Sequence, residues 1–161
     1  MLTIKQHVMA TFVFTITSIA SVGAHAESIS GQGKCTYKPL VSNIANTNGY
    51  ALMLSETTCV PSGGFIEGAS VSNTEIDNLY QGNGENSGFY TVSNGVDSAI
   101  AKWSGKVTTV IKDGNPMTSA KGQWEYVGGT GKFKDIKGKG EFNTYFTSAT
   151  EYTVDWKGIK H

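Results

Sequence analysis

No arginine occurs anywhere in these 161 residues, and of the three histidines only the last residue, His161, lies beyond the first twenty-six. Those absences exclude the commonest catalytic and binding engines: a Ser-His-Asp or Cys-His nucleophile, a His-ligated zinc, an arginine clamp on phosphate. Charge is scarce as well. Charged residues make up 16% of the chain and its formal net charge is zero, which leaves no electrostatic footprint for nucleic acid. Lysine is missing from Pro39 through Ala101, a stretch that carries six acids: Glu56, Glu67, Glu75, Asp77, Glu85 and Asp97. From Lys102 onward ten lysines face six acids. Such segregation marks either two solvated faces or a polarised interaction surface.

Long apolar runs are missing too, with one exception near the start. Lys5 precedes a run from Val8 to Val22, which is followed by Ala24-His25-Ala26. The run is about fifteen residues, short of the ~20 that a spanning helix requires, and small-x-small is the pattern of a signal peptidase site. Residues 1–26 therefore read as a signal peptide cleaved after Ala26. Residues 27–161 then form one domain, soluble in the periplasm or outside the cell and without a membrane span. The only two cysteines, Cys35 and Cys59, lie beyond the leader, where an oxidising compartment favours a disulfide. Closing a loop of about 25 residues contributes on the order of 3 kcal/mol in the chain-entropy account.

What the chain does contain is alternation. Tyr152, Val154 and Trp156 oppose Glu151, Thr153, Asp155 and Lys157; Phe142, Thr144 and Phe146 oppose Glu141, Asn143 and Tyr145. Trp124 and Tyr126 oppose Gln123 and Glu125, and Ala99, Ala101 and Trp103 oppose Ile100 and Lys102. A period of two with one apolar face describes half-buried antiparallel strands, and no segment beyond the leader keeps a helical period. Turn signals stand at Asn48-Gly49, Asn83-Gly84, Asn94-Gly95 and Asp113-Gly114-Asn115-Pro116. The spacing predicts strands over 30–38, 50–57, 65–72, 88–92, 99–104, 106–112, 118–127, 138–146 and 150–156. The polar, Gly-rich stretch 73–87 reads as a long loop. Eight or nine short strands at such spacing give an all-β fold, a barrel or a sandwich.

Gly128-Gly129-Thr130-Gly131-Lys132-Phe133, followed by Ile136-Lys137-Gly138-Lys139-Gly140, decides between them. This segment resembles the Gly-Gly-Thr-Gly-x-Phe signature before a late strand of the allene oxide cyclase-like barrel, shared with dirigent proteins. The resemblance runs from Gly122 to Trp156 and implies a calycin-like, eight-stranded antiparallel β-barrel with an apolar cavity. It also implies that Gly128, Gly129, Thr130 and Gly131 are structural and that Phe133 plugs one barrel end. It carries no catalytic residue onto this chain.

An eight-stranded barrel is filled by side chains or holds one small ligand. The residues that would line such a pocket are Trp103, Trp124, Tyr126, Phe142, Tyr152 and Trp156, whose rings bring apolar area and, for tryptophan, an N–H handle. Glu125 and Glu141 lie opposite the aromatic faces of their strands and read as solvated charges near lysines. The Lys132, Lys134, Lys137, Lys139 cluster reads as a solubilising loop. Gly129-Thr130-Gly131 lacks the helix and Lys-Ser/Thr pair of a P-loop, and the oxygen-bearing residues of 77–85 fit no calcium-loop spacing. No metal or cofactor is expected.

Three functions stay open. The chain is an exported barrel that binds a small apolar or amphipathic ligand; or a secreted interaction protein or enzyme inhibitor acting through barrel-end loops, 73–87 first among them; or an allene oxide cyclase-like isomerase or cyclase. The expected partner is accordingly a small hydrophobic ligand or another protein.

Overall fold

A computed structural model describes residues 25–43, 48–66 and 68–161. Eight strands follow one another: β1 (Glu27–Asn43), β2 (Tyr50–Gly63), β3 (Ser70–Tyr80), β4 (Asn83–Ser93), β5 (Ser98–Lys112), β6 (Asn115–Thr130), β7 (Gly138–Phe146) and β8 (Glu151–Lys160). A short 3-10 turn, Gly131–Phe133, leads from β6 toward β7. Each strand pairs antiparallel with the next, and β8 returns to β1, so the sheet closes into an all-β, eight-stranded barrel. Closure leaves no unpaired edge strand to template aggregation. The leader expected over 1–26 falls almost wholly outside the described residues. Among the described residues no helix is long and apolar enough to cross a membrane.

The pairing is staggered. A rung that starts at Lys38 passes Glu56, Thr74, Phe89, Lys102, Glu125, Lys139 and Ile159 and re-enters β1 at Ser28, ten residues earlier. Strand number and stagger together fix the tilt of the strands and the width of the interior. Successive side chains point alternately in and out, so rungs of this kind also list what shares a level inside the barrel.

Three strand expectations need correction. Residues 73–87 are not a loop: they belong to β3 and β4, joined by the two-residue turn Gln81-Gly82, both with positive φ (50° and 73°). Positive φ at both positions matches the right-handed twist of a hairpin, and here the turn precedes the Asn83-Gly84 pair rather than falling on it. The strand expected over 65–72 is mostly the β2–β3 connection and enters β3 only at Ser70. The strands expected over 99–104 and 106–112 are one strand, β5, so the count is eight rather than nine. The first of these has its cause in polar residues on the inward face. Asn73, Glu75 and Asp77 are buried while the alternate residues Thr74, Ile76 and Asn78 are exposed, which inverts the polar-out pattern.

The expected disulfide is present. Cys35 and Cys59 are directly opposite on β1 and β2 and are bridged. Cys35, buried, packs with Tyr37 and Tyr152 in a small apolar cluster. Reduction is expected to lower the melting temperature by roughly 5–10 °C. Thermal melts with and without reductant measure it, and superimposable curves would show that the bridge contributes nothing.

A larger apolar cluster fills the end of the barrel where β2 turns into β3 and β6 into β7. Ile29, Ile66, Ala99, Ala101, Trp124, Tyr126 and Ile136 are buried there, with Phe65 and Phe133 packed against them. Phe65 meets Phe133 edge-on at 5.1 Å and Tyr126 at 5.9 Å, and these rings close that end. The glycines ahead of Phe133 make a tight return. Gly131 has φ +57°, a conformation costly for a residue with Cβ, and a Cβ there would collide with the Asp97 carboxylate. Asp97 accepts the Lys132 backbone N–H at 3.0 Å, and Thr130 Oγ1 bonds Ser98 Oγ at 2.9 Å, so the β4–β5 turn and the Gly-rich segment hold each other.

Candidate functional site

Two neighbouring rungs build the barrel interior. One runs Ser55, Glu75, Gly88, Trp103, Trp124, Gly140, Gly158. The other runs Asp77, Asn86, Gly105, Gly122, Phe142, Trp156, Gly31. Both have the same plan: a carboxylate on β3, two large rings on β5–β8, and glycines wherever a ring needs room. The glycines are spatially required. A Cβ on Gly140 or Gly158 would come within 2.5 Å of Trp124 Cζ2, and one on Gly31 would come as close to Trp156. The interior is therefore sided, with polar groups on β2–β4 and an aromatic wall on β5–β8.

Hydrogen bonds tie the two sides together. Trp103 Nε1–H donates to Asn73 Oδ1 at 2.8 Å, the Asn73 amide donates to Glu75 Oε2 at 2.8 Å, and Ser55 Oγ–H donates to Glu75 Oε1 at 3.1 Å. On the next rung Tyr37 Oη–H donates to Asp77 Oδ2 at 3.3 Å. Glu75 is 6% exposed and Asp77 5%. No cationic side chain offsets them inside the barrel among the described residues, where the lysines are exposed, apart from half-buried Lys160, paired with Glu27 at the plugged end.

Titration behaviour follows from that setting. Burial, and secondarily the Asp77 charge, pushes the Glu75 carboxyl up to about 7, against the pull of its bonds from Asn73 and Ser55. Burial also raises Asp77, opposed by the Tyr37 hydroxyl and the Asn86 amide. Tyr37 is pushed up to about 12, chiefly by burial, with the neighbouring carboxylates adding to it. Tyr90, Tyr126 and Tyr152 are raised for the same first reason.

Between the two sides lies a cavity of about 140 Å3. Glu75, Asn73 and Asn86 line it from one side, the aromatic wall from the other, and it reaches the exposed Gly63-Gly64 turn. Three buried polar atoms lack a hydrogen-bond partner among the described residues: Thr57 Oγ1, Asn86 Oδ1 and Trp124 Nε1. The last two belong to cavity-lining side chains.

All six aromatics singled out in the sequence, Trp103, Trp124, Tyr126, Phe142, Tyr152 and Trp156, face this interior and line the cavity. Trp124, Tyr126 and Tyr152 are buried; the other three are half-buried. Glu125 and Glu141 point outward, exposed, in ion pairs with Lys102 at 3.1 Å and Lys157 at 2.8 Å. Lys132, Lys134, Lys137 and Lys139 are exposed. Sequence reasoning missed the polar half: Tyr37, Ser55, Asn73, Glu75, Asp77 and Asn86. A signal existed. Acids spaced by two in a stretch without lysine mark carboxylates on one strand face with no cation nearby in sequence.

No protein-family model matches the chain, and no curated protein matches it. Among solved structures it is similar to a pterocarpan synthase dirigent protein, at 13% identity and a TM-score of 0.42, over 94% of this chain and 99% of that one. A likeness at that level assigns no residue a role.

Proposed function

We propose that this protein is an exported barrel that binds a small amphipathic molecule inside the cylinder, its apolar part on the wall of Trp103, Trp124, Tyr126, Phe142, Tyr152 and Trp156 and its polar end toward Glu75. The carrying observation is a cavity lined on one side by Asn73, Glu75 and Asn86 and on the other by a continuous aromatic surface, which together suit a molecule with one polar and one apolar end. The disulfide and the reading of residues 1–26 as a leader support a site of action outside the cytoplasm.

Size narrows the ligand. Drug-sized pockets begin at roughly 300 Å3, whereas a dry cavity of about 150 Å3 accommodates benzene. At about 140 Å3 this cavity suits one ring with a short polar substituent. Benzyl alcohol is a suitable probe. It is expected to change the tryptophan emission and raise the melting temperature, and Ala69→Phe, at a half-buried lining position, is expected to abolish both by filling the space. Unchanged emission and melting at millimolar probe would refute the binding reading.

The reading of the chain as an interaction protein working through barrel-end loops named 73–87 first among them, and those residues are barrel strands, so it would fall to the remaining connections. An isomerase or cyclase keeps one specific observation in its favour. Glu75, in the cavity wall with its carboxyl near 7, has the proton affinity that general acid–base chemistry at neutral pH requires. Glu75→Gln is expected to stop conversion of any ligand recovered with the native protein. Conversion that survives the substitution removes this reading.

A further inference from the structure

Resting on the binding reading above, we infer that the ligand is a small organic cation, an ammonium on a single apolar ring, with its nitrogen at Glu75 and its ring against the tryptophan wall. Three observations converge on it. First, two carboxylates, Glu75 and Asp77, lie two residues apart on the inward face of β3, and no cationic side chain faces them among the described residues. A buried acid pair without a counter-charge is costly, and a cation entering the cavity supplies the missing partner. Second, the groups left over on that side are acceptors. Ser55 and Asn73 already donate to Glu75, while Asn86 Oδ1, one rung away and lining the cavity, accepts nothing. An ammonium carries several N–H donors and no acceptor, which suits a side of the cavity whose own donors are already engaged. Third, the opposite wall is made of Trp103, Trp124, Phe142 and Trp156, an apolar surface against which the ring of such a cation packs while its nitrogen reaches Glu75.

The pairing has a pH signature. The groups that face Glu75 are Tyr37 from β1, Asp77 from β3, Tyr90 from β4, Tyr126 from β6 and Tyr152 from β8. Ser55 and Thr57 from β2, Trp103 from β5, and Phe142, Thr144 and Phe146 from β7 do not titrate. All four phenols are pushed up and stay neutral near pH 7, whereas the Glu75 carboxyl, pushed up to about 7, changes charge there. Benzylamine, protonated throughout pH 6–8, therefore gains affinity as the Glu75 carboxyl ionises, whereas neutral benzyl alcohol does not.

Calorimetric titration of the full chain with both probes at pH 6, 7 and 8 tests this. Benzylamine is expected to bind at least tenfold tighter than benzyl alcohol at pH 8, and to tighten about tenfold from pH 6 to pH 8. Glu75→Gln is expected to abolish both the preference and the pH rise, so that the two probes bind alike at every pH. Asp77→Asn, should Glu75→Gln fail to fold, is expected to reduce the preference in part. If benzyl alcohol binds and benzylamine binds no better, the cation inference is overturned and the binding reading stands. If neither probe binds, the binding reading itself has failed.

Discussion

Between pH 5 and pH 8 this protein is expected to lose about 3 kcal/mol of stability, a melting temperature lower by roughly 10 °C at the alkaline end. The cause is Glu75. Its carboxyl titrates near 7 in the folded chain against an ordinary 4.5, so over that interval the folded state keeps a proton that the unfolded chain has released. The stabilising contribution is whole below about pH 4.5 and disappears as pH rises through 7. Asp77, raised for the same reason, acts in the same direction. The exposed carboxylates Glu125 and Glu141 are ordinary surface ion pairs, screened by solvent, and do not offset the effect. Glu75→Gln is the control. The amide keeps an acceptor for Asn73 and offers a donor to Ser55 Oγ, so the pH slope should flatten and the variant should be more stable than the parent at pH 8. Melts that rise with pH over this range, or an unaltered slope in the glutamine variant, contradict the buried-carboxylate account.

Trp124→Ala should be the most damaging single truncation in the aromatic wall, at about 4 kcal/mol. The ring is 3% exposed, lies tilted on Tyr126 at 4.9 Å and meets Trp156 edge-on at 6.4 Å. Its far side rests against Gly140 and Gly158, where no side chain stands ready to collapse into the vacated space. A large part of the cost is therefore a cavity that cannot relax. The reverse experiment attacks the same contact: Gly158→Ala places a methyl group 2.5 Å from Trp124 Cζ2 and against backbone, and overpacking of this kind costs about 1–3 kcal/mol. Denaturant unfolding of both variants measures these losses. A Trp124→Ala protein whose midpoint matches the parent would show that the ring is a removable lining rather than part of what holds the barrel.

These two expectations come from opposite walls, and the walls differed in how far the sequence disclosed them. On β5 to β8 apolar residues alternate with charged ones, the period of two is plain, and an aromatic face opposed to Lys102, Glu125, Glu141 and Lys157 has only one orientation that buries rings and solvates charges. Strand 138–146 was legible to the residue, and so were the outward acids. On β3 and β4 the period is equally strict, yet its sense is inverted. Asn73, Glu75 and Asp77 face inward, Ile76 faces out at 52% exposure, and Gly84, Asn86 and Gly88 carry too little side chain to show a face at all. A reading that sorts residues by hydropathy takes such a segment for a loop.

By itself, then, the order of residues determined local matters: period-two strands, turns rich in Gly and Asn, a single cysteine pair, and rings on one face of the later strands. Each of these is set by interactions a few residues long, or by there being no other choice. Only the closed cylinder decided that Ser55, Glu75, Trp103 and Trp124 stand at one level, because a rung is assembled from strands far apart in the chain, and its membership depends on the ten-residue stagger. Closure also turned an acidic strand face that would have met water toward a wall of rings, and it is that enforced desolvation, not the identity of any one residue, that gives Glu75 its proton and the interior its two sides.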